Sequence, residues 1–341
     1  SMEVVLTIGI SLIFLIYAIQ MLQSVENSSN QEIKWSQKII NPFDSFKLDP
    51  FMKAVKNKYK LKARFASPRI FGKYKGIYLD IVKVKTTTGV HRSVVKYDVY
   101  GYRVSFSFKS SDSFLVKQDN EIFHLFTDID LGDPSFDYRM YLRSEKEEQM
   151  ILFLNRESRN KINTLLKISH NFNFSNKGCV LELPYTEIKT QKQFFELLDN
   201  LHWLSERYLF IVKNKDNRAV LLENIHTEKD SNVKIKNIEL LGLRAKNEDK
   251  NAKDLLQKIL ANEKEKMQVK IVAAKFLGQE GEEYLLQALQ STYNLHLVSI
   301  ADALNECGTK LALPIILKLF KTIPDIEKQV KKVLQKTIET I

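Results

Sequence analysis

The sequence predicts a multi-domain protein with a single N-terminal transmembrane helix, an α+β middle domain with a mostly antiparallel sheet, and a C-terminal all-α solenoid. Three observations lead to this prediction: an uncharged apolar run near the N-terminus, alternation with a period of two in the middle, and helical repeats at the end. We place the anchor at residues 1–22, a linker at 23–55, the α+β domain at 56–228 and the repeats at 229–341.

The composition of the 341 residues is that of a globular protein. Apolar residues make up 44% and charged residues 27%, which excludes a disordered chain and a polytopic membrane protein. Cys179 and Cys307 are too few for a disulfide framework or a four-cysteine zinc site. The net charge of +11 is concentrated, because residues 50–109 hold many Lys and Arg but only two acids, Asp80 and Asp98.

The anchor prediction rests on the run from Val4 to Leu22, which carries no charged side chain. As a helix it would span about 28 Å, close to one hydrocarbon core. Lys and Arg follow this run and none precedes it, so the positive-inside rule predicts a single-pass cell-membrane protein with its bulk in the cytoplasm. The alternative is a cleaved signal peptide, which would need a basic region where Glu3 stands.

Strands and helices are both expected in the middle domain. Residues 103–108 alternate as a half-buried antiparallel strand does, and further extended runs cover 122–131 and 138–143. A hairpin is expected to turn at Asn176-Lys177-Gly178. Capping boxes starting at Ser144 and Thr190 predict two helix starts, with a break near Asn155 and a final strand over 208–212.

The middle domain also carries a short acidic motif, Gly132-Asp133-Pro134-Ser135-Phe136-Asp137. It resembles uncharacterised bacterial membrane-anchored domains with a Gly-Asp-x-x-Phe-Asp motif, a resemblance that implies no activity. The candidate acidic cluster is Asp128, Asp130, Asp133 and Asp137. Hard cations prefer several converging carboxylates, but this run lacks the ligand series of an EF-hand, so we favour a structural turn over a metal site.

Internal repeats fill the C-terminal region. Helix–turn–helix units are expected over residues 233–260, 269–289 and 297–319, and the first helix of each ends in Leu-Gly or Leu-Asn. These units resemble HEAT-like repeats of the phycobilisome-lyase type, which implies a stacked solenoid and brings no activity with it. A last helix near residues 326–338 has one polar face and is expected to cap the stack.

A basic patch precedes the middle domain's first strands. Its members are Lys56, Lys58, Lys60, Lys62, Arg64, Arg69, Lys73 and Lys75. Aromatic residues interleave with them, a composition found on surfaces that bind anionic lipid head groups or nucleic acid. The first interpretation is nevertheless a strand face that contacts only solvent, with its aromatic side chains in the core. Of the two binding interpretations, the nearby anchor favours lipid over nucleic acid.

Motifs for common chemistry are missing from the sequence: it has no glycine-rich phosphate loop, no His-Glu-x-x-His, no Gly-x-Ser-x-Gly and no Cys-x-x-Cys. We therefore expect no catalytic residue, no metal and no cofactor. The predicted function is a membrane-anchored adaptor or scaffold that binds a protein partner through residues 229–341. The alternative is a membrane-associated enzyme or effector whose α+β domain carries an unrecognised activity.

Overall fold

The computed structural model describes residues 48–64, 68–89, 96–118, 129–169, 171–247, 249–291, 296–322 and 328–340. The predicted anchor and most of the predicted linker lie outside these ranges. Among the residues inside them, no helix has both the length and the hydropathy that crossing a bilayer requires.

One antiparallel sheet of eight strands forms the middle of the protein, as the sequence predicts, with the spatial order β1-β2-β3-β4-β8-β7-β5-β6. The strands are β1 Lys62–Arg64, β2 Arg69–Tyr74, β3 Ile77–Gly89, β4 Lys96–Ser107, β5 Phe114–Gln118, β6 Met140–Ser144, β7 Asn171–Ser175 and β8 Gly178–Pro184. Ser175 pairs with Gly178, which confirms the hairpin turn at Asn176 and Lys177. Most of the extended run expected over 122–131 lies outside the described residues.

Helices cover one side of the sheet, and helices also make up the C-terminal region. They are α1 Pro50–Tyr59, α2 Pro134–Asp137, α3 Glu147–Phe153, α4 Arg156–Leu166, α5 Gln191–Lys213, α6 Arg218–Thr227, α7 Ser231–Lys246, α8 Lys250–Ala261, α9 Met267–Ala274, α10 Gln279–Ser291, α11 Leu297–Cys307, α12 Leu313–Thr322 and α13 Lys328–Thr340. The C-terminal region is thus helical, as expected, and its HEAT-like assignment stays a prediction.

Two predicted helix starts have different outcomes. At Thr190 the capping box forms: the Thr190 hydroxyl accepts from the Gln193 amide, and the Gln193 side chain accepts from the Thr190 amide, both at 3.2 Å. The box at Ser144 does not form, because Ser144 pairs with Phe114 as the last residue of β6, and α3 begins at Glu147.

The expected strand over residues 208–212 is wrong, because α5 continues to Lys213. Tyr208 and Ile211 are both buried and extend the apolar face of this helix, so helical packing outweighs the β-branched and aromatic composition. The break near Asn155 is confirmed, since its side chain accepts from the Ser158 amide and caps α4.

The main core lies between the sheet and helices α1, α3 and α5. Alternate strand residues point to these helices and are fully buried, among them Ile70, Leu79, Val104 and Leu181. The predicted linker includes residues 50–55, which form the first part of α1 and bury Met52 and Val55.

This core continues into the C-terminal helices without a break. A single cluster of buried apolar side chains runs from Leu48 to Phe276, so it includes residues of α7, α8 and α9. A second cluster runs from Ile271 to Leu334 and joins α9 to the last helix. Packing is therefore continuous across the boundary that we predict between residues 228 and 229.

Candidate functional site

The basic residues of the first two strands lie on the side of the sheet opposite the helices. In β2, Ile70 and Tyr74 are buried against the helices, whereas Arg69 and Lys73 point the other way. β1 pairs in register with β2, so Lys62 and Arg64 share the side of Arg69 and Lys73. We call this side of the sheet the outer face.

The other four residues of the predicted basic patch lie outside the strands, so they are not part of the outer face. Lys56 and Lys58 are in α1, and Lys58 Nζ lies 4.5 Å from the centre of the Phe195 ring. Lys60 ends α1 in a left-handed conformation with φ 53°. Lys75 follows β2 and donates to Asp199 of α5 at 2.7 Å. The structure therefore divides the predicted patch in two.

Three further basic residues, which lie outside the predicted patch, join the outer face. Arg103 of β4 pairs with Val82, Lys117 of β5 pairs with Asn173, and Arg143 of β6 pairs with Leu115. All three side chains are exposed. The alternation of residues 103–108 predicts the orientation of Arg103, but only the sheet order brings these strands beside β1 and β2.

Two carboxylates of the outer face are each paired with an arginine. Asp80 accepts two hydrogen bonds from Arg69, at 2.8 and 2.6 Å, and this pairing raises the pKa of Arg69. Glu182 accepts from Arg103 at 2.5 Å. Within the described ranges, Lys62, Lys73 and Lys117 are exposed and form no ion pair, so the outer face keeps an excess of positive charge.

Aromatic side chains interleave with these cations. Phe71 is half-buried, and the guanidinium of Arg64 lies 5.8 Å from the centre of its ring. Tyr78, which pairs with Lys73, is 41% exposed. A face that combines cations with half-exposed aromatic rings can contact a broad anionic surface.

The acidic cluster forms a turn. Asp133 caps α2 by accepting from the Phe136 amide at 3.1 Å, and Asp137 accepts from the Asp133 amide at 3.1 Å. Asp130 accepts from the Gly132 amide at 2.7 Å, while Asp128 lies outside the described residues. No group of three or more His, Cys, Asp or Glu side chains in the described ranges is placed to hold a metal ion.

Two carboxyls of this turn differ in their pKa values. Burial and the hydrogen bond with Asp130 raise the pKa of Asp137 to about 7. The hydrogen bond from the Gly132 amide lowers the pKa of Asp130. Below about pH 7 Asp137 therefore keeps its proton and can donate it in the hydrogen bond with Asp130.

The same turn is tied to the C-terminal helices through a buried arginine. Arg159 of α4 donates to Asp133 at 3.0 Å and to both carboxylate oxygens of Glu228 at 3.1 and 3.2 Å. Gly132 has φ +80°, and a side chain there would meet Asn232 of α7 at 3.0 Å. The motif thus links the α+β part to α7, a role that its sequence does not indicate because the partners are distant in the chain.

Comparisons with known proteins place this chain in no family. No family model matches it, and no curated protein matches it. Among solved structures, the crystal structure of the mycobacterial trehalose monomycolate transport factor A aligns with a TM-score of 0.32 and 9% identity, over 47% of this chain and 93% of that chain. A similarity at this TM-score supports no conclusion about this chain.

Proposed function

We propose that the protein is a membrane-anchored scaffold that uses residues 4–22 as its anchor and residues 229–341 to bind a protein partner. The continuous core is the observation that carries this proposal. Since buried side chains join the sheet to α7, α8 and α9, the helical region is held in a fixed position on the α+β part. A surface that is rigidly supported loses little conformational entropy when it binds a partner.

The surroundings of His202 and of the two cysteines support a scaffold rather than an enzyme. His202 contacts the Lys75 carbonyl at 3.1 Å and lies 3.4 Å from Glu206, so it joins α5 to the β2–β3 turn. Burial raises the pKa of the Cys179 thiol, and burial with two nearby glutamates raises that of Cys307 to about 11. Both thiols are therefore protonated at neutral pH and poor nucleophiles.

Large apolar side chains are exposed in the C-terminal region and offer contacts for a partner. Leu311 is 72% exposed, Leu317 of α12 is 40% exposed and Leu243 of α7 is 54% exposed. Single exposed apolar residues are common on proteins, so their participation has to be tested individually.

Site-specific photo-cross-linking tests the partner surface. A photoreactive phenylalanine placed at Leu311, or separately at Leu317, should cross-link to the same partner protein in native membranes. Leu222 of α6 is the matched control, because it is 41% exposed and lies outside residues 229–341. No adduct at either test position, or an equal adduct at Leu222, would contradict the proposed partner surface.

The membrane anchor is tested separately by protease protection. In intact spheroplasts residues 23–341 should resist added protease, and they should be digested once the membrane is opened, because the positive-inside rule places them in the cytoplasm. Digestion in intact spheroplasts, or a soluble protein that has lost its N-terminal segment, would contradict the predicted topology.

A further inference from the structure

The outer face remains positively charged after its own carboxylates have been paired. Asp80 and Glu182 each lie beside an arginine, at 2.6 and 2.5 Å. Lys62, Lys73 and Lys117 are exposed and without a carboxylate partner in the part of the chain that the structure describes. An anionic surface would therefore meet cations whose charge the fold has not already neutralised.

These cations are spread across the sheet. Lys62 is on β1, an edge strand, and Lys117 is on β5, six strand positions away. At about 4.8 Å for each strand, this places them roughly 29 Å apart. A single strand of nucleic acid needs cations and stacking rings along one groove, whereas a lipid surface presents negative charge across a whole face. The breadth of the distribution favours a bilayer.

The N-terminal part of the chain limits how far the outer face can lie from a membrane. The predicted anchor ends at Leu22 and the described fold begins at Leu48. Residues 23–47 can span at most about 90 Å when fully extended. They contain three lysines and three acidic residues, so they bring no excess negative charge that could neutralise the face.

We propose that the outer face of the sheet docks on the anionic leaflet of the membrane that holds residues 4–22. Lys62, Arg64, Lys73 and Lys117 contact the lipid head groups, and Phe71 and Tyr78 lie among them. This inference rests on the proposed anchoring. It gives the scaffold one orientation, with the helix-covered side of the sheet turned away from the bilayer.

Lysine reactivity in the full chain tests this orientation. The protein is reconstituted in nanodiscs of phosphatidylcholine, either pure or mixed with phosphatidylserine, and its lysines are acetylated and quantified by mass spectrometry. Lys62, Lys73 and Lys117 should react roughly fivefold or more slowly in the phosphatidylserine discs. One contact of about 1 kcal/mol with the anionic leaflet already favours the docked state by about fivefold, and docked amines are shielded from the reagent. Salt should restore their reactivity, since it screens the attraction.

Exposed lysines elsewhere are the internal controls. Lys192 of α5 and Lys250, Lys253 and Lys258 of α8 are exposed and should react equally in both kinds of disc. Equal reactivity of Lys62, Lys73 and Lys117 in the two discs at low salt would overturn the inference. Protection of these lysines by added single-stranded RNA, but not by phosphatidylserine, would overturn it in favour of nucleic acid.

Two variants with the same change in charge separate a local contact from the overall field. Lys62→Glu/Arg64→Glu/Lys73→Glu should remove the protection of Lys117, whereas Lys250→Glu/Lys253→Glu/Lys258→Glu should leave it. Loss of protection in both variants would overturn the assignment to this face. A chain that fails to insert into nanodiscs instead contradicts the proposed anchor, so the two failures are distinguishable.

Discussion

At the scale of single residues, a buried ion pair joins α4 to the segment between α6 and α7. Arg159 and Glu228 are 5% and 4% exposed and are linked by two hydrogen bonds. Glu228 also accepts from the backbone amides of Lys229 and Asp230, both at 3.0 Å, which orders the start of α7. A buried charge that loses its partner destabilises a fold strongly, so the free energy of unfolding should depend on this pair.

Glu228→Gln should destabilise the protein by about 3 to 5 kcal/mol, because it leaves the guanidinium of Arg159 only partly compensated. Denaturant unfolding measures this change. Glu196→Gln is the control, since its pair with Lys192 is exposed and such pairs contribute at most about 1 kcal/mol. Equal effects of the two substitutions would show that the buried pair is not coupled to stability.

Asp137 should make stability fall as pH rises. Its pKa is raised from 3.8 to about 7, so between these values the folded protein holds a proton that the unfolded chain has lost. The contribution of Asp137 to the free energy of unfolding should therefore decrease between about pH 4 and 7 and then level off. Asp137→Asn imitates the protonated carboxyl, and its unfolding free energy should exceed that of the natural protein at pH 8 but not at pH 4.

Asp216→Asn is a control of opposite sign. Hydrogen bonds from Arg218 lower the pKa of Asp216, so its contribution to stability is present at neutral pH and is lost in acid. A difference between Asp137→Asn and the natural protein that does not change between pH 4 and 8 would contradict the assigned proton.

At the scale of elements, close helix contacts depend on glycine. Gly242 of α7 faces Phe276, which follows α9, and a side chain at residue 242 would lie 2.2 Å from the Phe276 ring. Gly281 of α10 faces the Ala274 carbonyl just as closely. The small residues thus allow successive helices to approach, as repeat stacking requires.

Gly242→Ala should destabilise the protein by about 1 to 2 kcal/mol, because the overlap with Phe276 outweighs the better helix propensity of alanine. A thermal melt measures the effect. Leu243→Ala changes the neighbouring residue on the same helix, and because Leu243 is exposed its effect should stay within about 0.5 kcal/mol. Stabilisation by Gly242→Ala would show that there is room for a methyl group between residue 242 and the Phe276 ring, which would contradict this close packing.

At the scale of the whole molecule, the sheet and the first C-terminal helices share one core. Ile238, Leu241 and Leu256 belong to the same cluster as the buried residues of the strands. Polar contacts cross the same region, since Asn224 of α6 donates to the Leu152 carbonyl at 3.1 Å and to Asn237 of α7 at 3.4 Å. The α+β part and α7 to α9 should therefore unfold together.

A chain ending at Glu228 should aggregate or lose its cooperative thermal transition, because the cut exposes the apolar surface that α7, α8 and α9 cover. The full chain should show one transition for this region when followed by circular dichroism and by tryptophan fluorescence. A fragment that stays monomeric and melts at an unchanged temperature would instead support two independent domains with a boundary near residue 228.

The sequence by itself determined which residues are strands, helices and turns wherever local pattern and burial agree. Alternation in residues 103–108, the Asn176-Lys177-Gly178 turn and the Thr190 capping box each depend on neighbours a few residues away, and each is present in the structure. At Ser144 and over 208–212 the local pattern was misleading, because pairing with β5 and the buried face of α5 decided the outcome.

Only the tertiary structure decided which side chains share a surface. The predicted basic patch is contiguous in sequence, yet strand pairing keeps only part of it, including Lys62 and Lys73, on the outer face. Lys58 of α1 and Lys75, which follows β2, lie beside α5 instead. It also brings in Arg103, Lys117 and Arg143, which are far away in the chain. The physical reason is that backbone hydrogen bonds between distant strands fix the order and register of the sheet, and no local pattern encodes that order.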